Sequence, residues 1–184
     1  VPGAVCEFGV HWGASFSTLL NLRNIYEPYN VERFLYGFDT FEGFASVSSK
    51  DGTAEIGDYS SVQGYENSLE EILAYHESIS AFPERRNFEL IKGDATETID
   101  KWLDNNLGAS IALAIFDMDL YAPTKDVLQK ILPRMTRNSI LVFDEFCHRK
   151  FPGEVQAARE VLDLMSVDVS RSEFQSHAAI VRFR

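Results

Sequence analysis

The stretch that decides the fold is "CEFGVHWGAS", residues 6–15. A short apolar strand, an acid, two glycines and a helix-forming run follow one another. That is the shape of a nucleotide-binding turn, yet the glycines do not fit G-x-G-x-x-G. With Gly9 as the second glycine of that pattern, the first falls on Glu7 and the third on Trp12. With Gly9 as the first, the others fall on His11 and Ala14. The third glycine permits close helix–strand packing, which Trp would block. A carboxylate in the first position would face a pyrophosphate, and like charges repel. The turn argues against a dinucleotide and suits a ligand bearing a cationic amine.

Outward from this turn, apolar runs alternate with amphipathic ones. "GAVCEF", "RFLYGFD", "FELIKGD", "IALAIFD" and "SILVFDE" read as five strands. "GASFSTLLNLRNIY", "TETIDKWLDNNL", "TKDVLQKILPRM" and "PGEVQAAREVLDLM" read as the helices that follow strands one, three, four and five. Val155, Ala158, Val161, Leu162 and Met165 form one apolar face of the last helix, a packing surface. Strands four and five are nearly continuous apolar runs, as expected of parallel strands covered on both faces. Two further strands are predicted at Val167–Arg171 and His177–Phe183. The expected fold is α/β: a Rossmann-like, doubly wound, mostly parallel seven-stranded sheet with an antiparallel C-terminal edge. Residues 1–184 form one domain. Residues 45–87 break the rhythm with a polar stretch and a helix, "LEEILAYHESISAF"; a connection this long reads as a lid or substrate wall.

The composition sets limits. With 45% hydrophobic and 24% charged residues, the chain is of ordinary globular type. No apolar run approaches the roughly 18 residues of a membrane span, and no signal peptide is evident; a cytoplasmic location is expected from the two cysteines, read as reduced. The net charge of -11 and the lack of a basic cluster exclude a nucleic-acid face. The acids suit a cationic ligand or divalent metal, though most of them serve solubility. Cys6 and Cys147 are two isolated cysteines, read as reduced, with Cys6 a small core residue. The first residue is Val and a strand begins almost at once, so the sequence reads as an excerpt of a longer chain.

In open α/β sheets the ligand lies beyond the carboxyl ends of the strands. Here every one of the five strand ends carries or precedes an acid: Glu7, Asp39, Asp94, Asp117 with Asp119, and Asp144 with Glu145. One such Asp is readily a helix cap; five in a row point to a site.

These segments together resemble a family. "EFGVHWGAS" is similar to motif one of the class I S-adenosylmethionine-dependent methyltransferases, in the form E-x-G-x-x-x-G-x-S of the O-methyltransferase branch. "YGFDTFEGF" resembles the strand-two acid and aromatic turn of the macrocin-type sugar O-methyltransferases. "IFDMDLYAPT" and "LVFDEF" resemble that group's D-x-D-L-Y-x-x-T and D-D-[YF] segments. The resemblance runs from Val5 to about Glu160 and implies methyl transfer to sugar hydroxyls of antibiotics and other natural products, often with Mg²⁺.

The resemblance also implies roles. Gly9 and Gly13 would let the backbone approach the methionine part of S-adenosylmethionine, with Glu7 near its ammonium and Ser15 near its carboxylate. Asp39 would hold the ribose hydroxyls, and Asp94 with Ala95 would meet the adenine. Asp39 alone does not separate a methyltransferase from a dehydrogenase. Asp117 belongs to the cofactor-binding set and also, with Asp144 and Glu145, to an all-oxygen Mg²⁺ set. Such an ion would bind substrate oxygens and lower the pKa of the attacking hydroxyl. The same acids also read as a hydrogen-bonded group without metal. The lysine that catechol-type relatives place three residues after the strand-four Asp is absent, since Leu120 stands there. His148 and Asp119 are the candidate bases, and His11 a packing or cofactor-contact residue.

The sequence therefore leads to an S-adenosylmethionine-dependent O-methyltransferase acting on a small hydroxyl-bearing sugar or glycoside, with no nucleic-acid or membrane partner. Homo-oligomerisation stays open. Two rival readings are an NAD-dependent Rossmann-type sugar oxidoreductase and a non-catalytic binding module of the same fold.

Overall fold

The computed structural model describes all 184 residues. The chain runs β1 (Ala4–Phe8), α1 (Ala14–Tyr26), β2 (Leu35–Asp39), α2 (Tyr65–Ser78), β3 (Phe88–Lys92), α3 (Ala95–Asn105), β4 (Ile111–Phe116) and α4 (Tyr121–Ile131). It continues through β5 (Met135–Phe143), α5 (Gly153–Val161), β6 (Val167–Arg171) and β7 (Ala179–Phe183). The seven strands form one sheet in the order β3-β2-β1-β4-β5-β7-β6. The first five are mutually parallel, and β7 runs antiparallel to both β5 and β6. This is the architecture expected from the sequence. The strand order reverses between β1 and β4, which places the ligand crevice at the Gly9 turn.

Period-two alternation decides what each strand face packs against. Cys6, Phe8, Phe38, Ala114, Phe116, Leu141 and Phe143 share a core with Ile99 and Trp102 of α3, Val127 and Leu128 of α4 and Ala158 of α5. Val5, Leu35 and Phe88 meet Phe16 and Leu20 of α1 and Leu69 and Leu73 of α2. The expectation that β4 and β5 are covered on both faces is met on one face only. Leu113, Ile115, Ile140 and Val142, which alternate with the buried set, remain half-buried. Both cysteines are free: Cys6 is buried and Cys147 exposed. No helix is long and apolar enough to cross a membrane.

Several boundaries differ from the sequence reading. β5 begins at Met135 rather than Ser139, because Met135 pairs with Ile111 before an irregularity. Asn138 there takes a left-handed φ of 68°, and the Ser139 hydroxyl donates to the Ile111 carbonyl at 2.9 Å. α4 starts three residues early, at Tyr121, whose amide donates to Asp51 Oδ1 at 2.6 Å. A cap supplied from seventy residues away leaves no local sequence signal. α2 spans 65–78 instead of 69–82, because Gly64 in the left-handed conformation turns the chain into it. α5 ends at Val161, four residues short of the expected Met165.

Candidate active site

Four phenylalanines build the shelf under the site. Phe38, Phe8, Phe116 and Phe143 stand in register across β2, β1, β4 and β5. Their rings stack in sequence, with centroids 4.8, 5.2 and 5.1 Å apart. The next residue on each strand is Asp39, Gly9, Asp117 or Asp144. Three acids and a glycine are thus delivered side by side at one edge of a rigid sheet. The repeated pair Phe-Asp was a sequence signal for this shelf.

Above the shelf lies a cavity of about 590 Å³, within the usual range of small-molecule sites. One end carries Gly9, His11, Asp39, Gly93, Asp94 and Ala95, and the other Asp117, Asp119, Asp144 and Glu145. Thr40, Phe44, Ser46 and Tyr59, from the segment between β2 and α2, form a wall. No Lys or Arg lines it. The predicted residues Gly9, Asp39, Asp94, Ala95, Asp117, Asp119, Asp144 and Glu145 are therefore brought together. Glu7, Gly13, Ser15 and His148 stand outside the lining.

Gly9 has φ 92°, and a Cβ there would run into the carbonyl of Asp117. The close approach of the β1 and β4 ends thus demands glycine without any ligand. Gly13, at φ 75°, begins α1 and lies against Leu69 of α2, where a side chain would collide with that leucine. Trp12 projects outward, 45% exposed, with its ring edge-on to Tyr65 at 4.6 Å.

Asp39 ties this turn to β2. Its Oδ2 accepts the amides of Val10 and His11, each at 2.7 Å, and its Oδ1 the amide of Phe41 at 2.6 Å. A carboxylate has about four acceptor directions, so one is left for a ligand hydroxyl. Asp94 caps α3 by accepting from the Thr96 amide at 2.8 Å. Beneath the turn, Glu7 is fully buried and accepts the Ser15 hydroxyl at 2.6 Å. Its Oε2 has no hydrogen-bond partner. Burial, opposed by Ser15 and reinforced by the charges of Asp117 and Asp39, pushes its pKa up to about 8. An orphaned buried carboxylate oxygen fits an ammonium group.

The far end is crowded with negative charge. Burial, then Asp144, Asp119 and Glu145, raise Asp117 to about 7. Burial, then Glu145 and Asp144, raise Asp119 to about 7 as well. Asp119, His11 and Tyr59 hold left-handed φ values of 60°, 49° and 59°. Strain of this kind costs of order 1–3 kcal/mol per residue and gathers at functional sites. His148 Nδ1 lies 2.8 Å from Glu145 Oε2, and Gln175 donates to Asp144 Oδ1 at 2.6 Å.

The expected Mg²⁺ centre is not assembled as a ligand cluster. No three His, Cys, Asp or Glu side chains stand close enough together to hold a metal ion. Asp144 accepts a hydrogen bond from Gln175, and Glu145 lies beside His148. Their hard oxygens still suit such an ion in chemistry.

Two residues that shape the site had escaped the sequence reading. Asp51, only 2% exposed, accepts the amide and hydroxyl of Ser48 and the amide of Tyr121, pinning the wall segment to α4. Glu154, fully buried in α5, accepts amides from both acidic loops. Ser48, Asp51 and Gly52 carry a turn signature. Glu154 reads only as an acid in the first turn of a helix.

The sequence matches the family described as "Methyltransferase domain" over residues 6–146. The solved structure of CalS11, a calicheamicin methyltransferase, superposes with a TM-score of 0.94 at 41% identity, covering 99% of this chain and 72% of that one. The apo structure of CalS11, described as a TDP-rhamnose 3'-O-methyltransferase of calicheamicin biosynthesis, gives a TM-score of 0.84 at 39% identity, with the same coverage. Mycinamicin III 3''-O-methyltransferase of Micromonospora griseorubida is 25% identical over 174 residues, covering 89% of this chain. The chain spans 61% of that relative's length.

Proposed function

From the premise that this chain belongs to the methyltransferase-domain family, we propose that it moves the methyl group of S-adenosylmethionine to a sugar hydroxyl in natural-product biosynthesis. The observation that carries the reading is the single cavity joining Gly9, Asp39 and Asp94 at one end to Asp117, Asp119, Asp144 and Glu145 at the other. CalS11 is described as a TDP-rhamnose 3'-O-methyltransferase, which supports a deoxysugar acceptor. The family disfavours both the oxidoreductase and the non-catalytic reading.

Bound S-adenosylmethionine would supply a methyl group on a positively charged sulfur, open to in-line attack by an oxygen. Glu7 would take its ammonium, Asp39 its ribose, and Asp94 with Ala95 its adenine. Gly9 and Gly13 shape the turn against its methionine part, and Ser15 holds Glu7 in place. Asp119 lines the acceptor end and accepts the hydroxyl proton; a carboxyl with pKa about 7 is well matched to that task at neutral pH. His148 acts through Glu145. The lining residues from Thr40 to Tyr59 would serve as part of the lid or substrate wall expected of residues 45–87. Asp117, Asp144 and Glu145 would supply the oxygens for Mg²⁺, although they form no ligand cluster in this structure. Mg²⁺ when bound would polarise the acceptor hydroxyl. Burial first, then the charges of Asp144, Asp119 and Glu145, raise Asp117, and a cation there would relieve the second of these.

The test is methyl transfer from S-adenosylmethionine to TDP-rhamnose, followed by mass spectrometry. A product heavier by one methylene is expected, with turnover lost in excess EDTA and restored by Mg²⁺. Binding of NADH with no heat from S-adenosylhomocysteine would overturn the transferase reading. Full turnover in EDTA would overturn the metal alone.

A further inference from the structure

Glu154 is the second residue of α5, fully buried and outside the cavity lining. Its Oε1 accepts the amides of Met118 at 3.1 Å and Asp119 at 3.2 Å, and its Oε2 the amide of Glu145 at 3.1 Å. These amides lie just where the sheet runs out. The last ladder-type bonds are from the Asp117 amide to Phe8 and from the Asp144 amide to Phe116. The next amides along both loops need an acceptor, and one carboxylate serves them all. It forms no salt bridge; burial first, then the charges of Asp119 and Asp117, raise its pKa well above the usual carboxylate range, and the amides of Glu145 and Asp119 oppose that rise. A buried carboxylate without a cation is tolerated only when hydrogen bonds satisfy it. An apolar side chain of similar size would pack as well against the sheet, but it would leave three amides unpaired.

The start of α5 is pressed against the same loop. A Cβ on Gly153 would come within 2.6 Å of both the Asp119 carbonyl and the Tyr121 amide. Asp119 itself is held at φ 60°. Each tethered amide is at or next to an acid of the acceptor end: Asp117 and Asp119 around Met118, and Glu145 itself.

We propose that Glu154 is the positioning residue of this site, a buried brace that locks the β4 and β5 loops to each other and so aims Asp117, Asp119 and Glu145 into the cavity. The inference rests on the transferase reading for its effect on turnover, but not for its effect on the loops. A misplacement of about 1 Å in such groups lowers a rate roughly 10²-fold.

Glu154→Gln tests it. Glutamine keeps the shape but offers one oxygen and one NH₂, so it can serve one loop and opposes the other. Amide hydrogen exchange of Met118, Asp119 and Glu145 is expected to speed up by about tenfold or more at one loop at least. The amides of Val10 and His11, held by Asp39, keep their protection. Turnover with TDP-rhamnose falls about 10²-fold, while calorimetry shows unchanged affinity for S-adenosylhomocysteine. Unchanged exchange at all three amides, or faster exchange with unchanged turnover, overturns the proposal. So does free exchange of all three in the wild-type protein, which needs no variant and holds even if Glu154→Gln fails to fold. A wild-type protein that transfers no methyl group removes the proposed function instead, and the exchange data still decide on the brace.

Discussion

Cofactor binding should release a proton from Glu7. In the free protein the carboxyl is buried, its Oε2 unpartnered, and its pKa stands at about 8 against an ordinary 4.5. At pH 7 it is roughly 90% protonated. An ammonium brought to Oε2 favours the charged form and returns the pKa toward its ordinary value. Binding at pH 7 then expels about 0.9 proton per site. The affinity for S-adenosylhomocysteine follows the fraction of free protein already ionised. Between pH 6 and pH 8 it rises about 50-fold, worth about 2 kcal/mol, and it levels off above pH 8. The free protein has the opposite sign. Its fold favours the neutral carboxyl, so the Glu7 contribution to stability is lost as pH rises from 4.5 toward about 8.

Calorimetry at pH 6, 7 and 8, in buffers of different ionisation heat, reads both quantities. Proton release shows as a dependence of the observed heat on the buffer. Glu7→Gln should abolish the release and the pH slope, and weaken binding about tenfold at pH 8, the scale of one lost hydrogen bond to a charged group. Affinity that is flat from pH 6 to 8 with no proton released would refute the placement of the ammonium at Glu7.

Gly9→Ala puts a Cβ against the Asp117 carbonyl at a φ of 92°; urea denaturation should show a loss of about 2–4 kcal/mol, and a loss under roughly 0.5 kcal/mol would contradict the close approach of β1 and β4. Asp51→Ala strips the acceptor from Ser48 and Tyr121; it should cost about 2–3 kcal/mol and speed tryptic cleavage at Lys50. Cleavage at the wild-type rate would show that the wall segment is not pinned through Asp51.

The fold was legible because it is written in alternation. Apolar strand runs alternate with amphipathic helical ones, and each of the five parallel strands ends on or just before an acid. Glu7, Asp39 and Asp117 could be picked out because a strand end is a local feature. Boundaries were less legible where a partner distant in sequence decides them. α4 starts at Tyr121 because Asp51 caps it, and β5 starts at Met135 because Ile111 pairs with it. The Mg²⁺ set was read from residue type and order, but whether three carboxylates converge is a matter of tertiary placement, which neither type nor order encodes, and they form no ligand cluster. Glu154 was invisible for the same reason: its role exists only when two strands are side by side.

The acids of this site share a mode of support that explains their number. Asp39 is held by three amides, Glu154 by three, Asp94 by an amide and a hydroxyl, and Glu7 by a hydroxyl. Other lysines pair outside the cavity, as Lys125 and Lys50 do with Glu160. Among the cavity-lining acids, Asp126 has Lys130 and Glu145 has His148. Dipoles fix a carboxylate's direction without neutralising its charge. Had lysines done this work, the cavity would be electrically quiet and a cationic ligand would gain little on entering. With amides doing it, no cation offsets the crowding: burial first, and the neighbouring acids after it, raise the pKa values of Glu7, Asp117 and Asp119. A ligand carrying an ammonium and a sulfonium relieves that repulsion when it binds. Its product, with the sulfur neutral, relieves it less, so the same charge that draws the donor in also favours release after transfer.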